Sequence, residues 1–447
     1  GSEMCIRDSD STLVADPIDH LAAALPIKAK TSQGYWIRVW IPEDAISGNY
    51  SSDVLIKNNH EVIGKLKLTV QVQQRTLPQP DQWAFHLDLW QNPFAVARYH
   101  QVPLWSEEHF RILKTELQPY ADAGGKVITV PIMHHPWGGQ TYDPYETMIT
   151  WVRKIDGSWW FDYTIFDKWV EFMIDMGIKK EIGCYSMIPW KLSFLYFDQA
   201  TNSMKELKSK PGEQAYHDLW LSMLKDFAAH LKSKGWFDIT HIAMDERPMP
   251  DMLKALKIIR EADPNFKVSL AGSLHKELSD ELNDYCIAIA EKFSEEMKTK
   301  RKAEGKITTY YTCCAESHPN TYTFSNPAEG AWIAWYAAKE NLDGYLRWAL
   351  NSWTIEPLLD SRFYTWGAGD TYLLYPGGRT CLRFENLVAG IQAYEKIRIL
   401  KTELQTQNKT ATLRKLERVL ESFDELQLLK TPANVVVEKA NLFINGL

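Results

Sequence analysis

The segment Ile239-Thr240-His241-Ile242-Ala243-Met244-Asp245-Glu246-Arg247-Pro248 decides the fold. The run up to Met244 is short and mostly apolar, as a strand buried on both faces of a parallel sheet must be. Pro248 cannot continue a hydrogen-bonded ladder, so the strand stops there. Met249–Ala262 then places apolar residues at helical spacing. The unit is a strand, an abrupt stop and a helix, with two adjacent carboxyls on the C-terminal lip of the strand.

The same texture extends in both directions. Strand-like runs begin near Trp83 (WAFHLDL), Lys126 (KVITVPIM), Ile182 (IGCYSMI), Ile239 (ITHIAM), Phe266 (FKVSLAG), Tyr285 (YCIAIA), Ile307 (ITTYYTC) and Gly344 (GYLRWAL). Amphipathic stretches at 107–123, 166–176, Gln214–Lys234 and Met249–Ala262 lie between them. Eight strand signals alternating with helices over roughly 270 residues predict an α/β fold, a (β/α)8 barrel of the TIM type. Residues 151–163, with the turn pair Asp156-Gly157, and residues 191–207 read as hairpin insertions after barrel strands. That edge of a barrel is where active sites are built.

Upstream, Tyr35-Trp36-Ile37-Arg38-Val39-Trp40-Ile41 reads as one strand. Asp53-Val54-Leu55-Ile56 and Leu66-Lys67-Leu68-Thr69-Val70-Gln71-Val72 read as a hairpin about Asn58-Asn59-His60. These few strands suggest part of a β-sandwich, and Leu77-Pro78-Gln79-Pro80 a stiff linker. The expected division is 1–78 for the partial sandwich, 79–400 for the barrel and 401–447 for a helical extension.

Composition narrows the function. Among 447 residues, 45% are hydrophobic and 24% charged, so a large core can be buried. The net charge of -7 lacks the clustered Lys and Arg that a phosphate backbone demands, which argues against nucleic acid as a partner. The 18 Trp suit stacking on the flat apolar face of a sugar ring. Cys5, Cys184, Cys286, Cys313, Cys314 and Cys381 show no zinc-like spacing and read as free thiols. No run of about 18 apolar residues could span a bilayer, so no membrane insertion is expected. Residues 1–9 have no apolar core of a signal peptide.

Read alone, Asp245-Glu246 has two meanings. The acids could cap the following helix and favour its dipole. They could also be a catalytic pair, since glycoside cleavage needs a protonated acid at the leaving oxygen and a second group at the anomeric carbon. Adjacent like charges push one pKa upward, which keeps one acid protonated.

Three further motifs carry a resemblance. Phe85-His86-Leu87-Asp88-Leu89-Trp90-Gln91-Asn92-Pro93, Met244-Asp245-Glu246-Arg247-Pro248-Met249 and Trp366-Gly367-Ala368-Gly369-Asp370-Thr371-Tyr372 resemble the catalytic domain of glycoside hydrolase family 123. Arg383-Phe384-Glu385 and Tyr394-Glu395-Lys396-Ile397-Arg398 resemble that family's barrel-closing helix. The likeness implies a bacterial retaining β-N-acetylgalactosaminidase that acts on glycosphingolipid-type glycans, exported to the periplasm or cell surface. It implies substrate assistance, in which the 2-acetamido oxygen is the nucleophile and an oxazolinium ion the intermediate. Asp245 would orient the acetamido group and Glu246 would be the general acid/base. No metal or organic cofactor is implied.

Other candidates are substrate-binding. Asn92, at the end of the first barrel strand, could bind a hydroxyl. His134, beside His135, could reach the site from the second, although no third metal ligand stands at a suitable spacing. One of Tyr310 and Tyr311 could donate to the acetamido oxygen. Trp335, Trp353 and Trp366 could form a stacking floor. Asp370, with Asn351 assisting, could bind hydroxyls O4 and O6. Rival readings are a β-N-acetylglucosaminidase, since one hydroxyl's orientation separates the two sugars, and a non-catalytic glycan-binding protein on the same scaffold.

Overall fold

The two-residue turn Asn59-His60 folds β1 (Gly48–Asn58) back on β2 (Glu61–Val72), with Asn58 paired to Glu61 and Gly48 to Val72. Asn59 takes the left-handed conformation, φ 54°, that tight hairpins require. This ribbon belongs to a compact unit, His20–Gln79, while the described residues up to Asp19 group with Pro80–Leu447. The computed structural model describes residues 14–21, 27 and 29–447.

The expected strand at 35–41 is corrected. Tyr35 and Trp40 are 69% and 77% exposed, and the stretch pairs with nothing in the ribbon. A strand needs a partner ladder as well as an apolar run, and among the described residues β1 and β2 bond only to each other. Among the described residues, the strands of the N-terminal unit are the antiparallel pair β1 and β2. A second correction concerns cysteine: Cys314 is disulfide-bonded.

From Pro80 onward the chain forms β3 (His86–Leu89), β4 (Val127–Pro131), β5 (Thr150–Arg153), β6 (Trp159–Asp162), β7 (Glu181–Tyr185), β8 (Ser193–Asp198), β9 (Ser203–Lys208), β10 (Thr240–Met244), β11 (Lys267–Ala271), β12 (Asp284–Ala288), β13 (Ile307–Tyr311) and β14 (Gly344–Arg347). Eight of these make one parallel sheet in the order β3-β14-β13-β12-β11-β10-β7-β4. Each sequence-predicted barrel strand is present, and neighbours in space are neighbours in sequence.

The sheet closes where β3 meets β4. Lys126 N–H donates to Leu87 O at 2.9 Å, and beyond that point the Gln91 side chain takes over the ladder. Its amide donates to Val127 O (3.1 Å) and accepts from Thr129 N (2.9 Å). Backbone groups left open by the parting strands are satisfied in this way. On the other side of β3, Gly344 of β14 must be glycine, because a Cβ there would strike the His86 backbone.

The two expected hairpins exist, β5–β6 and β8–β9, and they also join each other. β5 runs parallel to β8, giving a four-stranded sheet β6-β5-β8-β9 raised from the loops after β4 and β7. At the other end of the chain, Leu382–Thr406, Thr410–Leu420, Glu425–Leu428 and Ala433–Asn445 are helices. The last three form the helical extension, anchored by Phe423, whose ring lies on Trp335 at 4.8 Å and 7°.

Candidate active site

β10 ends at Met244, and the next helix, Met249–Ala262, has Pro248 at its N-cap with no side-chain cap bond. Neither acid therefore caps the helix. Between strand and helix the chain turns across the barrel mouth, and the two carboxyls go to different surroundings.

Asp245 is buried, 9% exposed, on the side of β4 and β7. Trp190, in the loop after β7, donates its indole N–H to Asp245 Oδ2 at 3.0 Å. Oδ1 is buried with no hydrogen bond made to it, and the Trp137 N–H that faces this carboxyl is itself unpartnered. Below lie Trp90, Trp137 and Tyr185, from the ends of β3, the β4 loop and β7, with Trp90 stacked on Trp137 at 4.5 Å. Burial pushes the Asp245 carboxyl up to about 6. The Trp190 and Trp137 indoles and the Arg247 charge restrain that rise, while the Glu246 charge adds to it.

Glu246 is exposed at the mouth. Its Oε1 accepts the hydroxyl of Tyr311, which stands at the end of β13 across the barrel. Burial and the Glu246 charge hold the Tyr311 phenol well above its usual range, so it stays a donor. Arg247, half-buried, lies over the Trp190 ring at 5.9 Å. One carboxyl is thus dry with an unused oxygen, and its neighbour faces solvent.

The amino-acid sequence matches two family descriptions. Residues 90–400 match the glycoside hydrolase 123 catalytic domain, and residues 2–58 match the glycoside hydrolase 123 N-terminal domain. The chain belongs to glycoside hydrolase family 123. Among solved structures it is similar to a family 123 glycoside hydrolase from Clostridium perfringens, studied for glycolipid glycan hydrolysis. That alignment has TM-score 0.82 and 29% identity, covering 91% of this chain and 77% of that one. A GH113 β-1,4-mannanase aligns at TM-score 0.33 and 12% identity, over 69% of this chain and 98% of that one, too remote to bear on function. No curated relative matches the sequence. As a family 123 glycoside hydrolase, the chain takes a carbohydrate substrate.

Several sequence-predicted site residues of this hydrolase prove to have structural duties. Asn92 caps the helix Pro93–His100 through Ala95 N (3.1 Å), and its amide donates to Asp143 O and Ser352 Oγ. Asn351 accepts from Asn92 N (2.8 Å) and donates to Asn92 O (3.1 Å), so the pair clamps the ends of β3 and β14 together. Asp370 is buried against Arg347, and the same Oδ1 accepts from Trp348 Nε1 at 3.2 Å. It is a counter-ion, not the free loop carboxylate expected. Tyr310 donates to Ile333 O at 2.7 Å and faces the outer helix, because neighbouring strand residues point to opposite faces. Trp335 belongs to the packing of the extension. Trp353 is fully buried, with its N–H on Leu374 O at 2.7 Å.

Trp366 is half-buried, bonded to Gln140 O at 3.1 Å, with Trp348 beside it at 5.9 Å. Sequence reading passed over Trp348, Trp190, Trp137 and Arg247. The position of each just after a barrel strand or in its first loop was the available signal. His134 is half-buried and paired through Nδ1 with Glu146. The absence of a third donor beside the two histidines is corrected, because Glu146 also accepts from His135 Nε2 at 3.0 Å.

Proposed function

We propose that the chain is a retaining β-N-acetylgalactosaminidase that uses the substrate's 2-acetamido group as nucleophile. The observation that carries this reading is Asp245: a buried carboxyl with one oxygen held by Trp190 and the other unmet. An acceptor so placed suits an amide N–H, and its negative charge suits the positive charge that develops as the amide cyclises. In the first step the acetamido oxygen attacks C1, the glycosidic C–O bond breaks, and Glu246 gives its proton to the leaving oxygen. In the second, Glu246 takes a proton from water, whose oxygen opens the oxazolinium ring at C1 with net retention. Tyr311 holds Glu246 in place through both steps.

The likeness to the Clostridium perfringens enzyme supports glycolipid glycans as the substrate class. Export to the periplasm or cell surface belongs to the same proposal.

The test is a panel of aryl β-GalNAc, β-GlcNAc and β-Gal glycosides. Turnover of β-GalNAc with potent inhibition by a thiazoline analogue is expected. Turnover of β-Gal would sink substrate assistance, since that sugar has no acetamido group. Faster turnover of β-GlcNAc would replace the sugar but keep the mechanism. Binding without turnover on any of them would make the chain a lectin.

A further inference from the structure

The loop between β4 and β5 carries the adjacent pair His134-His135 and, on its returning limb, Glu146. Adjacent side chains on extended backbone point to opposite sides. Here both imidazoles meet one carboxylate: His134 Nδ1 contacts Glu146 Oε2, and His135 Nε2 lies 3.0 Å from Oε1. His135 achieves this by adopting φ 51°, a left-handed conformation that costs a non-glycine residue about 1 kcal/mol or more. A backbone bond from His135 N to Tyr145 O, 2.8 Å, fastens the two limbs. The three donor atoms all lie within 4.8 Å of one another.

We propose that His134, His135 and Glu146 form a binding site for a zinc-class divalent ion. Two imidazoles and one carboxylate are the donors such ions prefer, whereas Mg²⁺ prefers oxygen alone. The ion-pair partners of Glu146 among the described residues are those two imidazoles alone. The side chains of His134, His135 and Glu146 are 22%, 49% and 43% exposed, so an ion enters from solvent and keeps water in an open position. On binding, the two ring nitrogens that face Glu146 present lone pairs to the cation, and the carboxylate exchanges its contacts with the rings for the cation.

The site adjoins the acid pair through the same loop. Pro136 O accepts the backbone N–H of Trp190 at 2.9 Å, and Trp137 faces Asp245. A bound ion would fasten the loop that holds both indoles against that carboxyl. It takes no part in bond breaking, and its binding does not depend on which sugar is cleaved.

The experiment is isothermal titration of the full chain, stripped by chelator and dialysis, with ZnCl2, and with MgCl2 in parallel. One Zn²⁺ per chain and no Mg²⁺ are expected. His135→Ala and Glu146→Gln should each weaken Zn²⁺ binding at least tenfold while circular dichroism stays unchanged. The thermal midpoint should rise with Zn²⁺ in the wild type and not in the variants. No Zn²⁺ binding, or binding unaltered in both variants, would overturn the site and leave a hydrogen-bonded clasp. If Glu146→Gln fails to fold, His135→Ala at the exposed position decides alone.

Discussion

The two ends of the barrel both hold buried carboxyls, and they treat them in opposite ways. At the N-terminal end, Glu181 of β7 lies 3.0 Å from His241 Nδ1 and accepts from Ser269 Oγ at 2.9 Å, while His86 of β3 reaches Asp284 of β12 at 3.1 Å. Burial alone would raise Glu181, but the His241 and His86 charges overcome it and pull the carboxyl down. Burial works against the His86 charge too, yet Asp284 and Glu181 carry it up to about 9. Asp88, between them, is pushed well above the usual range by burial and the Glu181 charge. At the C-terminal end Asp245 has two indoles and a neighbouring anion, and is left at about 6 with one oxygen unused. Acids that hold the barrel together are neutralised within the protein. The acid proposed for chemistry is left for a ligand to complete, and folding bears the cost.

The largest test of this contrast is kinetic. Glu246→Gln should lower kcat/KM for a poor leaving group about 10²- to 10⁴-fold, the usual worth of a general acid, and lose far less with an activated aryl group. Asp245→Asn should lose a comparable factor that no leaving group restores. An active Asp245→Asn would place this carboxyl with the structural ones. At the other end, Glu181→Gln takes away the carboxylate that faces His241 and weakens the field around His86, which keeps Asp284, and should cost about 3 kcal/mol of stability in chemical denaturation. The folded fraction should retain its kcat. Loss of activity without loss of stability would break the distinction. The His86 contribution has a sign of its own: its raised pKa stabilises fully below about 6.5 and is lost as pH rises toward about 9.

Asp245 gives a third, smaller effect. An acid whose folded pKa is raised stabilises the protein below its unfolded value, and that gain is lost as pH rises through about 6. The difference corresponds to about 3 kcal/mol, so Asp245→Asn should melt a few degrees higher than the wild type above pH 6 while being inactive. For activity the dependence runs the other way. kcat/KM should fall as pH drops below about 6, where Asp245 takes up a proton. Trp190→Phe removes an N–H from the ionised form and should move that acid limb up by about one pH unit. An unmoved limb would mean another group controls it.

The parts of this that were legible in the sequence share a cause. Barrel strands such as Val127–Pro131 are buried along their whole length, so their composition reports their place directly. The run at 35–41 has similar composition, but strand status depends on a partner, which is not a local property. Asp245-Glu246 was legible because a strand end and a proline fix its position. The assistants were not: Trp190 from the β7 loop and Trp137 from the β4 loop converge on Asp245 only after the barrel closes. Asn92, Asn351, Asp370, Trp335 and Trp353 have residue types suited to sugars but orientations set by packing. Sequence spacing also hid Glu146 from the two histidines, because the loop's path brings them together.

Tyr310 and Tyr311 reduce the contrast to two adjacent, identical side chains. Their positions on β13 send one hydroxyl to Ile333 O of the outer helix and the other to Glu246. Tyr310→Phe removes one buried hydrogen bond, and Ile333 O already serves as a helix acceptor. The expected loss is about 1 kcal/mol of stability, with kcat and KM unchanged. Tyr311→Phe releases Glu246 without opening a cavity, so stability should hold while kcat falls several-fold. The pair is informative because volume, chemistry and neighbours in sequence are matched, leaving the face of the strand as the variable. If Tyr310→Phe reduced kcat as much as Tyr311→Phe, the hydroxyls would be acting through the strand's rigidity, and Tyr311 would lose its claim on Glu246.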